Sequence, residues 1–98
     1  MEIKHDLTGS RFVMLSGGSE TGQIVYDVEE DGNLTALSVH VTPEMQGQGA
    51  AGNLLGALVD HAKKHSLKIY PACPYVLKQF ERNPEKYSDV AGGPPPKR

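Results

Sequence analysis

Ninety-eight residues with ten basic and twelve acidic side chains, a formal charge of −2, suffice for one domain with a modest core and exclude a large enclosed substrate chamber. No basic block exceeds Lys63-Lys64, so the positive footprint of nucleic-acid binding is missing, and no stretch approaches the roughly 20 apolar residues that span a bilayer. The single cysteine, Cys73, excludes an internal disulfide or a cysteine-rich zinc site and suits a reducing compartment. Together with an N-terminus lacking a signal-peptide apolar core, these features predict a soluble, cytoplasmic protein with no nucleic-acid or membrane partner.

The first half reads as a β-meander. A short opening strand, 2–7, precedes apolar runs at 11–15 and 22–28, which end at Ser16-Gly17-Gly18-Ser19 and at Glu29-Glu30-Asp31-Gly32-Asn33. Both breaks carry hairpin chemistry. The next run, 34–42, alternates, with Leu37, Val39 and Val41 on one face and Ala36, Ser38 and His40 on the other.

The pattern changes at Pro43. Gln46-Gly47-Gln48-Gly49-Ala50-Ala51 follows a strand and opens into a helix, the arrangement that aims free backbone N–H groups at an anion. Its glycines permit positive φ and close approach of a ligand to the main chain. A Walker-type loop would need Lys and then Ser or Thr where Ala50 and Ala51 stand. A dinucleotide fingerprint would need a third glycine and an acidic residue about 20 positions on, which do not fit either. The alternative is a turn that merely joins strand to helix.

The helix is predicted over 50–65, with Ala51, Leu54, Leu55, Leu58 and Ala62 as its buried stripe and Asn53, Asp60, Lys63 and Lys64 on the wet side. His61 and His65 are one turn apart, but no Glu follows His61 and no third ligand stands nearby, so they read as surface histidines and no metal is expected. A short strand at 67–70 is stopped by Pro71. A second helix, 74–82, starts at Pro74, shares Val76, Leu77 and Phe80 on one face, and is stopped by Pro84. The domain is predicted to occupy 1–90, and 91–98, rich in Gly and Pro, to form a disordered tail.

Strands, then Gln46-x-x-Gly49-x-Ala51, then helix, strand and short helix resembles the acetyl-CoA-binding core of the GNAT superfamily of N-acetyltransferases. The stretch Pro71-Ala72-Cys73-Pro74-Tyr75-Val76, followed by Arg82-Asn83-Pro84, resembles its minimal single-domain branch, which carries Pro-x-Cys-Pro-Tyr/Phe-Val and then Arg-His/Asn-Pro. The likeness extends over about 2–89. One departure is visible: Ser38-Val39 stand where members often have His-Thr, with His40 two residues later.

The resemblance implies an α/β (α+β) fold, a mainly antiparallel sheet with a splayed strand pair and two helices. It implies acetyl-CoA as cosubstrate and an unidentified amine as acceptor, on a peptide or protein because only 6–10 separate the first two strands and leave the acceptor side open. A CoA-binding module with little or no catalysis, and a small interaction scaffold with a purely structural loop, are the competing functions. Gln46, Gly47, Gln48, Gly49, Ala50 and Ala51 would cradle the pyrophosphate. The pantetheine arm would lie between 38–42 and 67–71, with backbone of Val39 and Val41 facing it. Cys73 would be an acyl-accepting nucleophile, a wall of the thioester pocket, or a small buried hydrophobe. His40 would accept the amine's proton or sit on the outer face, and Tyr75 would protonate the departing thiolate or pack. Arg82 and Asn83 read as a helix end.

Overall fold

Gly17-Gly18 makes a two-residue turn that sets the pairing of the strands on either side. In the computed structural model, which describes residues 2–95, Ser16 pairs with Ser19 across this turn, joining β2 (Arg11–Ser16) to β3 (Ser19–Val28). β3 therefore starts at Ser19, ahead of the apolar run at Gly22, because the tight turn lets the polar Ser19 and Glu20 pair directly. β1 (Glu2–Asp6) pairs antiparallel outside β2 and β4 (Leu34–Val41) antiparallel outside β3. β5 (Ile69–Pro71) lies parallel to β4, giving a five-stranded sheet in chain order.

A 3-10 turn at Pro43–Met45 leads to the first helix, α1 (Ala50–Lys64), and α2 (Pro74–Arg82) follows β5. Leu54, Leu55, Leu58, Val59 and Ala62 of α1 are buried against Phe12, Met14, Ile24, Tyr26, Leu34 and Ala36 of the sheet. Truncating a fully buried leucine such as Leu58 removes both its transfer energy and its packing, at a cost of about 2–5 kcal/mol. α2 contributes Val76 and Phe80, and Phe80 packs on Tyr87 with ring centroids 4.9 Å apart. Tyr87 and Val90 join the core from a segment without periodicity.

The tail expectation meets structure at its start. Ile69 N–H donates to Val90 O at 2.6 Å and Gly92 N–H to Ile69 O at 2.8 Å, and Ala91 bridges Ile69 in parallel. The remainder of that expected tail, 96–98, lies outside the described residues.

Two corrections shape the site. Val25 pairs with Ser38 while Tyr26 pairs with Ala36, so Leu37 is an extra residue bulged out of β4. The bulge resets the alternation: Ala36 now shares the inward face with Val39 and Val41, and Leu37 is 38% exposed. Second, β5 is Ile69–Pro71 and its pairing with β4 reaches only Leu34, Thr35 and Ala36. The splay thus lies beyond the expected 67–71, with Cys73 N–H donating to Ala36 O at 2.9 Å as the last link. From Leu37 onward β4 has no strand on that side among the described residues, and α2 begins opposite it.

Candidate functional site

Backbone geometry makes the junction between β4 and α1 a donor-rich concavity. Gly47 and Gly49 both adopt left-handed backbone, with φ of 83° and 76°, the kind of conformation from which main-chain anion-binding nests are built. Gly49 is the N-cap of α1 and no side chain caps the helix. Its carbonyl accepts the first helical bond, from Asn53 N–H at 3.0 Å. The N–H groups of Gly47, Gln48, Gly49, Ala50, Ala51 and Gly52 find no acceptor among the described residues. They coincide with the positive end of the helix dipole, which favours an anion.

Gln46 has a different place from the cradle expected of it. Its N–H donates to Pro43 O at 3.2 Å and its side-chain amide to Val41 O at 3.1 Å, so it ties the loop to the end of β4. Gln48 likewise ties back to Glu44 O at 3.0 Å through its side chain. Gly52, expected to ease packing of the helix on the sheet and not to join the cradle at 46–51, carries the sixth unmet amide. The signal was present, since the first four N–H groups of any helix lack intrahelical partners.

The alternation of antiparallel bonds decides which strand groups face the splay. Thr42 N–H donates to Thr21 O at 2.9 Å, so the main chain of His40 and Ser38 turns to β3 as well, leaving Val39 and Val41 directed away from it. Val41 O, held by Gln46, shows this direction. Thr42 Oγ1, at the root of the loop, is buried without a hydrogen-bond partner among the described residues.

Tyr75 overlooks the loop from α2. A cavity of about 180 Å³ lies between Val41, Met45, the loop glycines and Tyr75, and a Cβ at Gly52 would stand 3.8 Å from the Tyr75 hydroxyl. Burial pushes the Tyr75 phenol up, with Tyr87 and Cys73 adding to it, so the hydroxyl keeps its proton at neutral pH. Cys73 is buried at the N-cap of α2, where its own carbonyl accepts from Leu77 N–H at 3.0 Å. Cys73 and Tyr75 are therefore brought together. His40 is not: it is exposed, opposite Gln23, on the sheet face away from α1. Ser38 shares that face with it.

His65, at the C-cap of α1, is exposed as expected of a surface histidine, whereas His61 departs from that expectation. His61 is half-buried against His5 of β1, with ring centroids 4.7 Å apart, a contact that spacing within one helix cannot reveal. Among the described residues no group of three or more His, Cys, Asp or Glu side chains is arranged to hold a metal ion, and no helix is long and apolar enough to cross a membrane.

Residues 11–90 match the family model of the GCN5-related N-acetyl-transferases. No curated protein matches the chain in sequence. Among solved structures, a GCN5-like protein from Staphylococcus aureus superposes with a TM-score of 0.74 at 28% identity, over 94% of this chain and 88% of that one. The ribosomal-protein-S18-alanine N-acetyltransferase of Escherichia coli gives 0.61 at 21% identity over 74% of this chain, which spans only 49% of that enzyme. The ribosomal-protein-alanine N-acetyltransferase of Brucella melitensis gives 0.60 at 20%, over 90% of this chain and 64% of that one. The last two likenesses concern the fold. With the family match covering most of its length, the chain belongs to the GCN5-related N-acetyltransferases, a family of transferases that implies acetyl-CoA as cosubstrate.

Proposed function

We propose that the amides of Gly47–Gly52 hold the pyrophosphate of acetyl-CoA and that the chain transfers its acetyl group to an amine of a peptide or protein. The observation that carries this reading is the row of six successive N–H groups without an internal acceptor at the start of α1. Acetyl-CoA supplies an activated thioester. The residues around it bind, orient and move protons. Gly47, Gln48, Gly49, Ala50 and Ala51 donate main-chain bonds, Gln46 keeps the loop on β4, and Val39 and Val41 offer strand-like pairing to the pantetheine arm.

An attacking amine must be neutral, and a departing thiolate is stabilised by a proton. The protonated Tyr75 hydroxyl takes the second role, while His40, on the opposite sheet face, takes the first only by relaying the proton through solvent. Cys73 lies beside Tyr75 at the end of the splay, lining the thioester pocket or accepting the acetyl group before the amine does. The β1–β2 connection is too short to cover the acceptor side, which favours an extended acceptor over an enclosed small molecule. No metal enters this scheme, and one free thiol suits the cytoplasm.

A second reading has its own support. His40 stands on the opposite face from the loop and Tyr75, a placement that suits a CoA-binding module with little catalysis. Calorimetric titration with acetyl-CoA tests the binding shared by both readings, and absence of heat and of thermal stabilisation contradicts both. An acetyl-transfer screen over peptides and amines separates them. Intact mass after incubation with acetyl-CoA tests the covalent route, which is excluded if Cys73 stays unmodified and Cys73→Ala retains turnover.

A further inference from the structure

The other end of α1 meets the sheet through a contiguous stack of rings. The His5 ring lies on Phe12 with centroids 4.1 Å apart and planes within 10°, and its Nε2 shares a 2.6 Å hydrogen bond with the Tyr26 hydroxyl, one strand further in. His61 meets His5 edge-on, and His65 follows His61 at 4.5 Å. β1 has little else to hold it on this side. α1 packs mainly on β2, β3 and β4, and β1 reaches the core through Ile3 and His5.

The charged and titratable groups facing the stack come from three elements. On β1, Asp6 adjoins His5, but its carboxylate already accepts from Gly9 N–H at 3.0 Å and from Arg11 Nε at 2.9 Å. On β3 stands Tyr26. Lys64 at the end of α1 and His65 at its C-cap lie near His61. Burial lowers the His5 pKa, with the attraction of Asp6 opposing and the repulsion of His65 adding. Burial lowers that of His61 too, followed by His5, His65 and Lys64. Both folded values thus sit below the ordinary histidine value of about 6.5. The folded state then binds fewer protons than the unfolded chain, so the stabilisation is complete above that value and is lost as pH falls through the folded values.

We propose that the stack is an acid-released clasp: neutral rings of His5 and His61 fasten edge strand β1 to the last turns of α1, and their protonation frees that end while the loop and splay stay folded. In the charged pair, two like charges would face each other across touching rings. His5, once protonated, could no longer accept from Tyr26, although it could still donate to it. The release is therefore a matter of charge repulsion and desolvation more than of one lost hydrogen bond.

Amide hydrogen exchange on the full chain, corrected for intrinsic rates and compared near pH 7.5 and near pH 5.5, reads the clasp directly. The expected result is a loss of protection of about tenfold or more in β1 and the last turn of α1 relative to Ile24 and Leu55, a difference that corresponds to local opening alone. In His5→Phe/His61→Phe, which keeps rings and removes charge, that pH dependence disappears. An independent readout on the unaltered chain is titration of the ring resonances, with His5 and His61 expected to titrate below about 6.5 in step with the β1 amides. Uniform loss across the sheet, an unchanged β1, or rings titrating at or above the ordinary value would overturn the proposal.

Discussion

The two ends of α1 present opposite kinds of chemistry on one 15-residue helix. At its start the working groups are main-chain amides, set by the left-handed Gly47 and Gly49, and the side chains of Ala50 and Ala51 add nothing polar. At its end the working group is the ring of His61, which meets His5 and, beyond it, Tyr26, with the C-cap His65 packed on its other side. A backbone site tolerates most changes of side-chain charge but not a change of backbone conformation. A ring site tolerates backbone adjustment but answers to every proton. The dipole sharpens the contrast. It favours an anion at the first end and a cation at the second, yet burial and mutual repulsion outweigh it at His61 and keep that ring neutral.

Deleting Leu37 should have the largest effect on the first end. Ala36 and Ser38 would then follow one another opposite Tyr26 and Val25 in regular register, with the same faces inward, so the fold should persist. Without the bulge the bend that separates β4 from α2 is reduced, and acetyl-CoA affinity is expected to fall about 100-fold by calorimetry, or about 2.7 kcal/mol. Gly49→Val comes next. A β-branched residue at φ 76° costs about 1–2 kcal/mol, so affinity should drop about tenfold and the melting temperature by several degrees. Tyr75→Phe leaves packing in place and removes the proton. If the hydroxyl assists the leaving thiolate, kcat falls about tenfold or more with little change in KM, whereas a packing role leaves both unaltered.

Gln46→Ala removes the tie to Val41 O, a partly buried bond worth about 1 kcal/mol, and should weaken acetyl-CoA about fivefold. Smallest of all, His61→Phe should leave acetyl-CoA affinity at neutral pH within about 0.5 kcal/mol, because distant sites act additively. A large effect there would erase the contrast between the two ends.

Local patterns carried the order of elements, both helices and the loop, because turn chemistry and helical period are written in neighbouring residues. What they could not carry was anything decided across the sheet. Residues 34–42 alternate without a break in sequence, and only the pairing of Val25 and Tyr26 reveals that Leu37 is bulged. The same is true of β5, whose pairing with Leu34–Ala36 moved the splay past Pro71 toward Cys73. His5 looks like one polar residue of an edge strand until folding sets it on Phe12 and His61. Tyr87 and Val90 entered the core from a stretch with no period to announce them.

The central claim concerns the amides at the start of α1, and a ¹⁵N-resolved titration with acetyl-CoA addresses them one by one. The account predicts that the amide resonances of residues 47–52 move most and saturate together, while those around His61 hardly change. Saturable binding that leaves these six amides in place and shifts resonances elsewhere would contradict it.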